Sequence, residues 1–340
     1  VWLPEMTSTI HTFASHHVDG VAVGDDGMVA IAASALTGDI WDGELLFLRC
    51  CPNSCEQLTR IPTNTGSSAV AWAGCGLLAS GDDRGDVTLW RPGDQPQSQM
   101  QVDISPVACY KEHSDTVCSI AVGDGGQRLA SGSLDGSAKV WVGGVSDMAE
   151  HHLVHVPDDS WCDAHVHGVA WCDAGARLLA SASSDGIARL WDLRASAPCV
   201  RFTAREGLEL NSIAAAADDG QLLVGLQSGE VVLQDWRNTS GALSRSKPHS
   251  GALRSLCLAH VAPTAGKATT LLAVASEDGN ASVLCARSLV CRHMLQGHID
   301  CVSSVGWLRE DNTYPGATLT GSWDKQVLRH ELPTNADTTQ

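Results

Sequence analysis

The chain has 340 residues, 44% hydrophobic and 18% charged, so it is too apolar and too weakly charged to stay unfolded. Its 22 basic against 39 acidic residues leave a formal charge of −17, which repels phosphate backbones and argues against direct nucleic-acid binding. The 33 glycines follow no three-residue period, which excludes collagen, and 11 tryptophans against 3 phenylalanines and 2 tyrosines point to one position used many times.

Residues 6 to 13, MTSTIHTF, read as an N-terminal strand. From there one unit repeats. Hairpins are expected at 28–41, 76–90, 127–141, 177–191, 221–236, 271–285 and 317–330. Each has an apolar strand ending in small residues, a tight turn and a second alternating strand; the best copies end on Trp, as in QRLASGSLDGSAKVW at 127–141. Glycine suits such turns because it tolerates positive φ. The second turn residues are Gly38, Gly85, Gly136, Gly186, Gly229, Gly279 and Lys325, a period of about 48 residues, the size of a four-stranded propeller blade.

A further strand precedes each later hairpin, at 69–72, 118–122, 168–171, 211–216, 255–259 and 303–307. These are continuous apolar runs, as expected for strands buried on both faces between blades. No 12-residue segment carries a 3.6 period, so no helices are expected. The seventh copy stops near Leu332, before the polar tail at 333–340, and lacks an outer strand. The N-terminal strand would fill that place and remove the open edge. The sequence therefore predicts an all-β, seven-bladed propeller over 18–332, with 1–17 as the closing segment.

The 13 cysteines are odd in number and scattered through apolar runs, which reads as a reducing compartment rather than a disulfide framework. No stretch nears 18 apolar residues, so no membrane span is expected. The chain opens without Met and without a signal pattern. Asn238-Thr239-Ser240 and Asn280-Ala281-Ser282 match the glycosylation sequon, which matters only in a secretory compartment.

Several constellations invite chemistry. His113, Ser131 or Ser133, and Asp135 have the residue types of a hydrolase triad, but the same types recur at His298, Thr320 or Ser322, and Asp324. An active site has no reason to recur at blade spacing. The reading is a buried relay in which the turn Asp accepts from the His, completed by a Ser hydroxyl and the indole N–H of Trp141. His151, His152 and His155 have metal-binding types, yet on a strand 152 points away from 151 and 155. Cys50, Cys51 and Cys55 lack the second pair that structural zinc wants and read as ordinary thiols. Gly266-Lys267 fails the phosphate-loop pattern, with Ala262 and Ala268 where Gly and Ser/Thr are needed. The acidic pairs Asp25-Asp26, Asp82-Asp83, Asp158-Asp159 and Asp218-Asp219 are turn formers that together would make a negative rim. No catalytic, cofactor-binding or metal site emerges, so the chain reads as a non-enzyme without cofactors.

The Asp-Gly turn with Trp six residues after the Asp, preceded by a His, resembles the WD-repeat propellers over essentially the whole chain. Asp135 with Trp141, and Asp185 with Trp191-Asp192, fit best; Arg84, Ser228, Ala35, Leu284 and His330 depart. Two end regions, Ser34 to Phe47 and Gly321 to Pro333, look like the corresponding parts of the methylosome WD-repeat subunits, companions of the symmetric-dimethylating protein arginine methyltransferase. That resemblance implies a scaffold that binds the methyltransferase and helps present Arg-rich substrates such as histone tails and spliceosomal Sm-type proteins, in cytoplasm and nucleus. It also implies that the first blade faces the methyltransferase, with Trp41 as the inserting aromatic and Asp39, Asp42 and Glu44 around it. In a different class, Trp191-Asp192-Leu193-Arg194 resembles a box that docks WD-repeat substrate receptors onto cullin-RING ubiquitin ligases; a generic WD-repeat interaction scaffold is the plainest alternative.

Overall fold

The computed structural model describes residues 8–11, 14–24, 26–37, 40–51, 54–73, 76–93, 103–144, 147–155, 164–195, 198–216, 219–238, 241–261, 269–309 and 315–332. The strands form seven four-stranded antiparallel sheets, and a 3-10 turn spans Asp124–Gly126. Six sheets are meanders in chain order; blade one, for example, runs His17–Val23, Met28–Thr37, Ile40–Cys51 and Ser54–Thr63. The seventh combines Val302–Arg309, Pro315–Ser322 and Val327–Glu331 with Ser8–His11, which pairs Ser8 to His330 and His11 to Val327. The N-terminal strand thus closes the ring and covers an edge that would otherwise be open to pairing. The turn glycines meet their steric demand: Gly85, Gly136, Gly186, Gly229 and Gly279 all have φ between 78° and 87°, and Lys325 holds the same place at 69°.

The core lies between blades rather than within them. Val29, Ile31, Leu46 and Leu48 of blade one pack on Leu319 and Val327 of blade seven; Ala79 and Leu89 of blade two pack on Leu129 and Trp141 of blade three. Each blade buries both faces, which is why its strands read as apolar runs instead of alternating ones. Tryptophans at the ends of inner strands tie neighbours together. The indole N–H of Trp72 donates to the Ala22 carbonyl at 3.1 Å, Trp171 to Ala121 at 3.2 Å and Trp307 to Cys257 at 2.9 Å, each to the preceding blade.

All seven inner strands carry a bulge at the same place. The residue left out of register is Asp19, Ser68, Cys118, His167, Asn211, Arg254 or Ser303 in turn. A bulge re-aims one side chain, and these seven line a common cavity on the propeller axis.

Blade one breaks the pattern in its middle hairpin. Its second and third strands span 10 and 12 residues, against 6 and 7 in blade three. Val29 pairs with Leu48 where blade three pairs Leu129 with Trp141, and pairing continues outward through Ser34–Gly43, Ala35–Asp42 and Leu36–Trp41 to Thr37–Ile40. The hairpin therefore overshoots the usual turn and forms an arm. Leu48, not Trp41, occupies the place of the blade-closing Trp, which corrects the sequence alignment of this blade.

Candidate functional site

The predicted relay of blade three assembles in part. His113 donates from Nδ1 to Asp135 Oδ2 at 2.8 Å, and its Nε2 lies 2.7 Å from the Ser131 hydroxyl. Ser114 and Ser137 backbone N–H groups and the Ser137 hydroxyl also reach the Asp135 carboxylate. Burial alone would raise that carboxyl; the bonds from His113 and Ser137 outweigh it and hold it well below the usual range. Trp141 does not complete the chain. Its ring packs 6.1 Å from that of His113, but its buried indole N–H finds no hydrogen-bond partner. The Trp-to-Ser link forms instead in blade two, Trp90 to Ser80 at 2.8 Å, and blade four, Trp191 to Ser181 at 2.9 Å.

Blade seven shows how a departure is repaired. His298 bonds Asp324 at 2.9 Å and Thr320 at 2.8 Å, and Thr320 bonds His330 Nε2 at 2.9 Å. With Nδ1–H of His298 on Asp324, the Thr320 hydroxyl donates to His298 and accepts from His330. His330 thus does what an indole N–H would do. Burial, helped by His298, pushes it down to about 4, so it is neutral.

Blade six holds a third relay that sequence reading missed. His249 lies 3.1 Å from Asp278 and 2.8 Å from Ser282. The signal was present: His113, His249 and His298 each precede by four the strand starts Val117, Leu253 and Val302. It was hidden because the hydroxyl sits on the third strand, opposite Val274, rather than on the second. In blade four, Arg189 takes the His role, 2.6 Å from Asp185. These groups recur from blade to blade and, within each blade, tie the turn to the strands.

The arm of blade one is different. Trp41 stands 45% exposed. Its indole nitrogen lies over Gly66, where an added Cβ would collide with it and with the Asp83 carboxylate. Asp42 is part exposed, with His16 Nε2 at 3.5 Å. Glu44 is 2% exposed and tied to the fold: it accepts from the Ser15 backbone N–H at 2.8 Å and hydroxyl at 2.9 Å, with His16 at 3.2 Å and Arg60 at 3.3 Å. Burial raises its carboxyl, but the Ser15 and His16 bonds and Arg60 bring it below the usual range. Glu44 therefore anchors the base of the arm. Asp39 lies outside the described residues.

Other motifs resolve as follows. Cys50 and Cys55 face each other across the third and outer strands of blade one, with Cα atoms 4.1 Å apart, and are joined as a disulfide, contrary to the expectation of plain thiols. Cys51 as a side chain, the imidazoles of His151, His152 and His155, Gly266-Lys267 and the 333–340 tail lie outside the described residues. Among the described residues no cluster of His, Cys, Asp or Glu is placed to hold a metal ion, and no helix is long and apolar enough to cross a membrane. Asp82 and Asp83 sit on the second-to-third-strand turn, whereas Asp26 and Asp219 sit on first-to-second-strand connections at the opposite end. The described acidic pairs thus divide between the two faces instead of forming one rim. Trp191 is buried, and Arg194 folds back on Asp192 at 2.5 Å.

Comparison with known proteins agrees with this geometry. The WD domain, G-beta repeat signature matches residues 104–142 and 156–192. The chain is 28% identical over 319 residues to methylosome protein WDR77 of Xenopus laevis, covering 92% of this chain and 89% of the relative. It is 26% identical to human Striatin-4 over 52% of this chain and 24% of the relative, and 31% identical to Arabidopsis thaliana THO complex subunit 3 over 38% and 39%. The crystal structure of the WD40 propeller domain of Doa1 superimposes with a TM-score of 0.73 at 17% identity, covering 98% and 99% of the two chains. The chain therefore carries WD-type repeat sequence at 104–142 and 156–192 within a seven-bladed β-propeller fold.

Proposed function

We propose that this propeller is a non-catalytic scaffold subunit of a protein arginine methyltransferase complex. The supporting observation is the blade-one arm: an exposed Trp41 on an extension of the repeat, in a chain similar to a methylosome protein over nearly its whole length. The arm contacts the methyltransferase through Trp41 and Asp42. The methyl donor and the chemistry belong to that partner. The acidic body raises the local concentration of Arg-rich tails, of the histone and Sm type, by electrostatic attraction rather than by reading their sequence. Affinity purification of the full chain from cells, with mass spectrometry, tests the reading. Recovery of an arginine methyltransferase in near-equal amount is expected; recovery of a cullin adaptor or of unrelated partners alone overturns it.

A further inference from the structure

Among the described residues six large apolar side chains are exposed, and three of them stand at one end of two neighbouring blades. Trp41 is on the blade-one arm. Trp323, 39% exposed, is on the second-to-third-strand turn of blade seven, and Ile299, 89% exposed, is on the loop that enters the same blade. The two blade-seven loops are bonded to each other: the Ile299 N–H donates to Asp324 at 3.1 Å, and the Trp323 N–H donates to the Cys301 carbonyl at 3.0 Å.

The repeat does not require apolar side chains at these two places. Ser114 and Ser250 hold the position of Ile299 in blades three and six, and their N–H groups bond the relay carboxylate in the same way. Leu134, Ser184, Gln227 and Glu277 hold the position of Trp323 in blades three to six. Their N–H groups make the same bond to the carbonyl just before the first strand. The fold therefore uses only the backbone at both places. Apolar side chains grouped on a surface, where the fold has no use for them, mark a contact with a partner.

This rim is joined to the arm by two links. Asp19 accepts from the hydroxyl of Ser34, on the strand that leads into the arm, and at 3.1 Å from the Trp323 indole N–H. Ser15 and His16 hold Glu44 at the base of the arm, and the next residue, His17, bonds the Trp323 carbonyl with its ring 6.2 Å from the indole. Arg254 lies 6.0 Å from the same ring and is paired with Glu277. Trp323 is thus set in place before a partner arrives, which lowers the ordering cost of binding. We propose that the arm and the blade-seven rim form one continuous docking surface, in which Ile299 and Trp323 take an apolar side chain of the same partner that Trp41 contacts, an assignment that rests on the methyltransferase reading of the arm and gives it a second anchor. Glu277 and Asp300 at the rim, with Asp324 and Asp19 beneath it, outnumber the cations Arg254 and Lys325, so the segment that fits carries a basic residue beside its apolar one.

The test is calorimetry of the full chain with the symmetric-dimethylating arginine methyltransferase, using substitutions taken from the repeat itself. Ile299→Ser copies blades three and six, and Trp323→Gln copies blade five. Each is expected to weaken binding about fivefold or more, with the thermal melt of Ile299→Ser unchanged. Val290, 56% exposed at the opposite end of blade six, supplies the control: Val290→Ser should leave affinity within about twofold. Ile299→Ser within about twofold of the unaltered chain, while Trp41→Ala binds weakly, overturns the rim and leaves the arm standing. An equal loss in Val290→Ser also overturns it. No binding by the unaltered chain overturns the methyltransferase reading and the rim with it. Should Trp323→Gln lose stability through its bond to Asp19, Ile299→Ser still decides, because its side chain meets solvent.

Discussion

Blade three and blade one share a register and use their polar groups in opposite ways. In blade three the hairpin turns after Ser133, and Asp135, His113, Ser131 and Ser137 bond one another. In blade one the strands run on past that level. Glu44, held by Ser15, His16 and Arg60, fixes the base of the arm, and Trp41 stands partly exposed over Gly66. Where the repeat is regular, its polar residues hold the blade together. Where the repeat is broken without a relay, the residues released from that task are available to a partner.

The largest effect should come from the segment that supports both closure and arm. Deleting residues 1–15 removes the strand paired with Val327–Glu331 and the Ser15 bonds to Glu44. We expect aggregation or a fall in Tm of about 10 °C or more, several kcal/mol at roughly 2–4 °C each. A truncated chain that melts within about two degrees of the full one would show that the ring does not depend on this strand.

A smaller effect separates the two blades directly. His113→Ala leaves Ser131 and Asp135 short of a partner in a buried setting and should cost about 1–3 kcal/mol in urea denaturation. Trp41→Ala should cost under about 0.5 kcal/mol, as at other surface sites. Equal costs would place Trp41 in the core and erase the contrast.

The third expected change is a pH slope. His330 titrates near 4 in the folded chain, against 6.5 when free. Between those values the unfolded chain binds more protons, so this residue's contribution is complete above pH 6.5 and is lost as the pH falls toward 4. His330→Trp restores the repeat residue and its N–H donor to Thr320. Denaturation at several pH values should show a flatter loss of stability through that window than in the unaltered chain; parallel curves would mean that His330 is not the neutral donor assigned here.

Much of the fold was legible because the period of two, the Asp and Gly turns and the blade-sized repeat are local signals. The closing strand was legible because the seventh copy ran out one strand short. The arm was not. Leu45, Leu46 and Leu48 form an apolar run in which a displaced turn changes nothing visible, and Trp41 looked like the closing Trp. The His249–Ser282 relay was masked by a hydroxyl moved across the strand pair. The Cys50–Cys55 link depends on the register of a hairpin that spacing alone does not fix. The axial ring was invisible for a different reason: Asp, Ser, Cys, His, Asn, Arg and Ser share no residue type, only a backbone bulge.

The central claim is that the blade-one arm is the partner contact, and calorimetry of the isolated propeller with the arginine methyltransferase tests it most directly. Trp41→Ala should weaken binding by about 2–4 kcal/mol, as truncation of a central aromatic anchor does, while its thermal melt stays that of the unaltered chain. Binding within twofold of the unaltered chain, with the melt intact, would contradict the account.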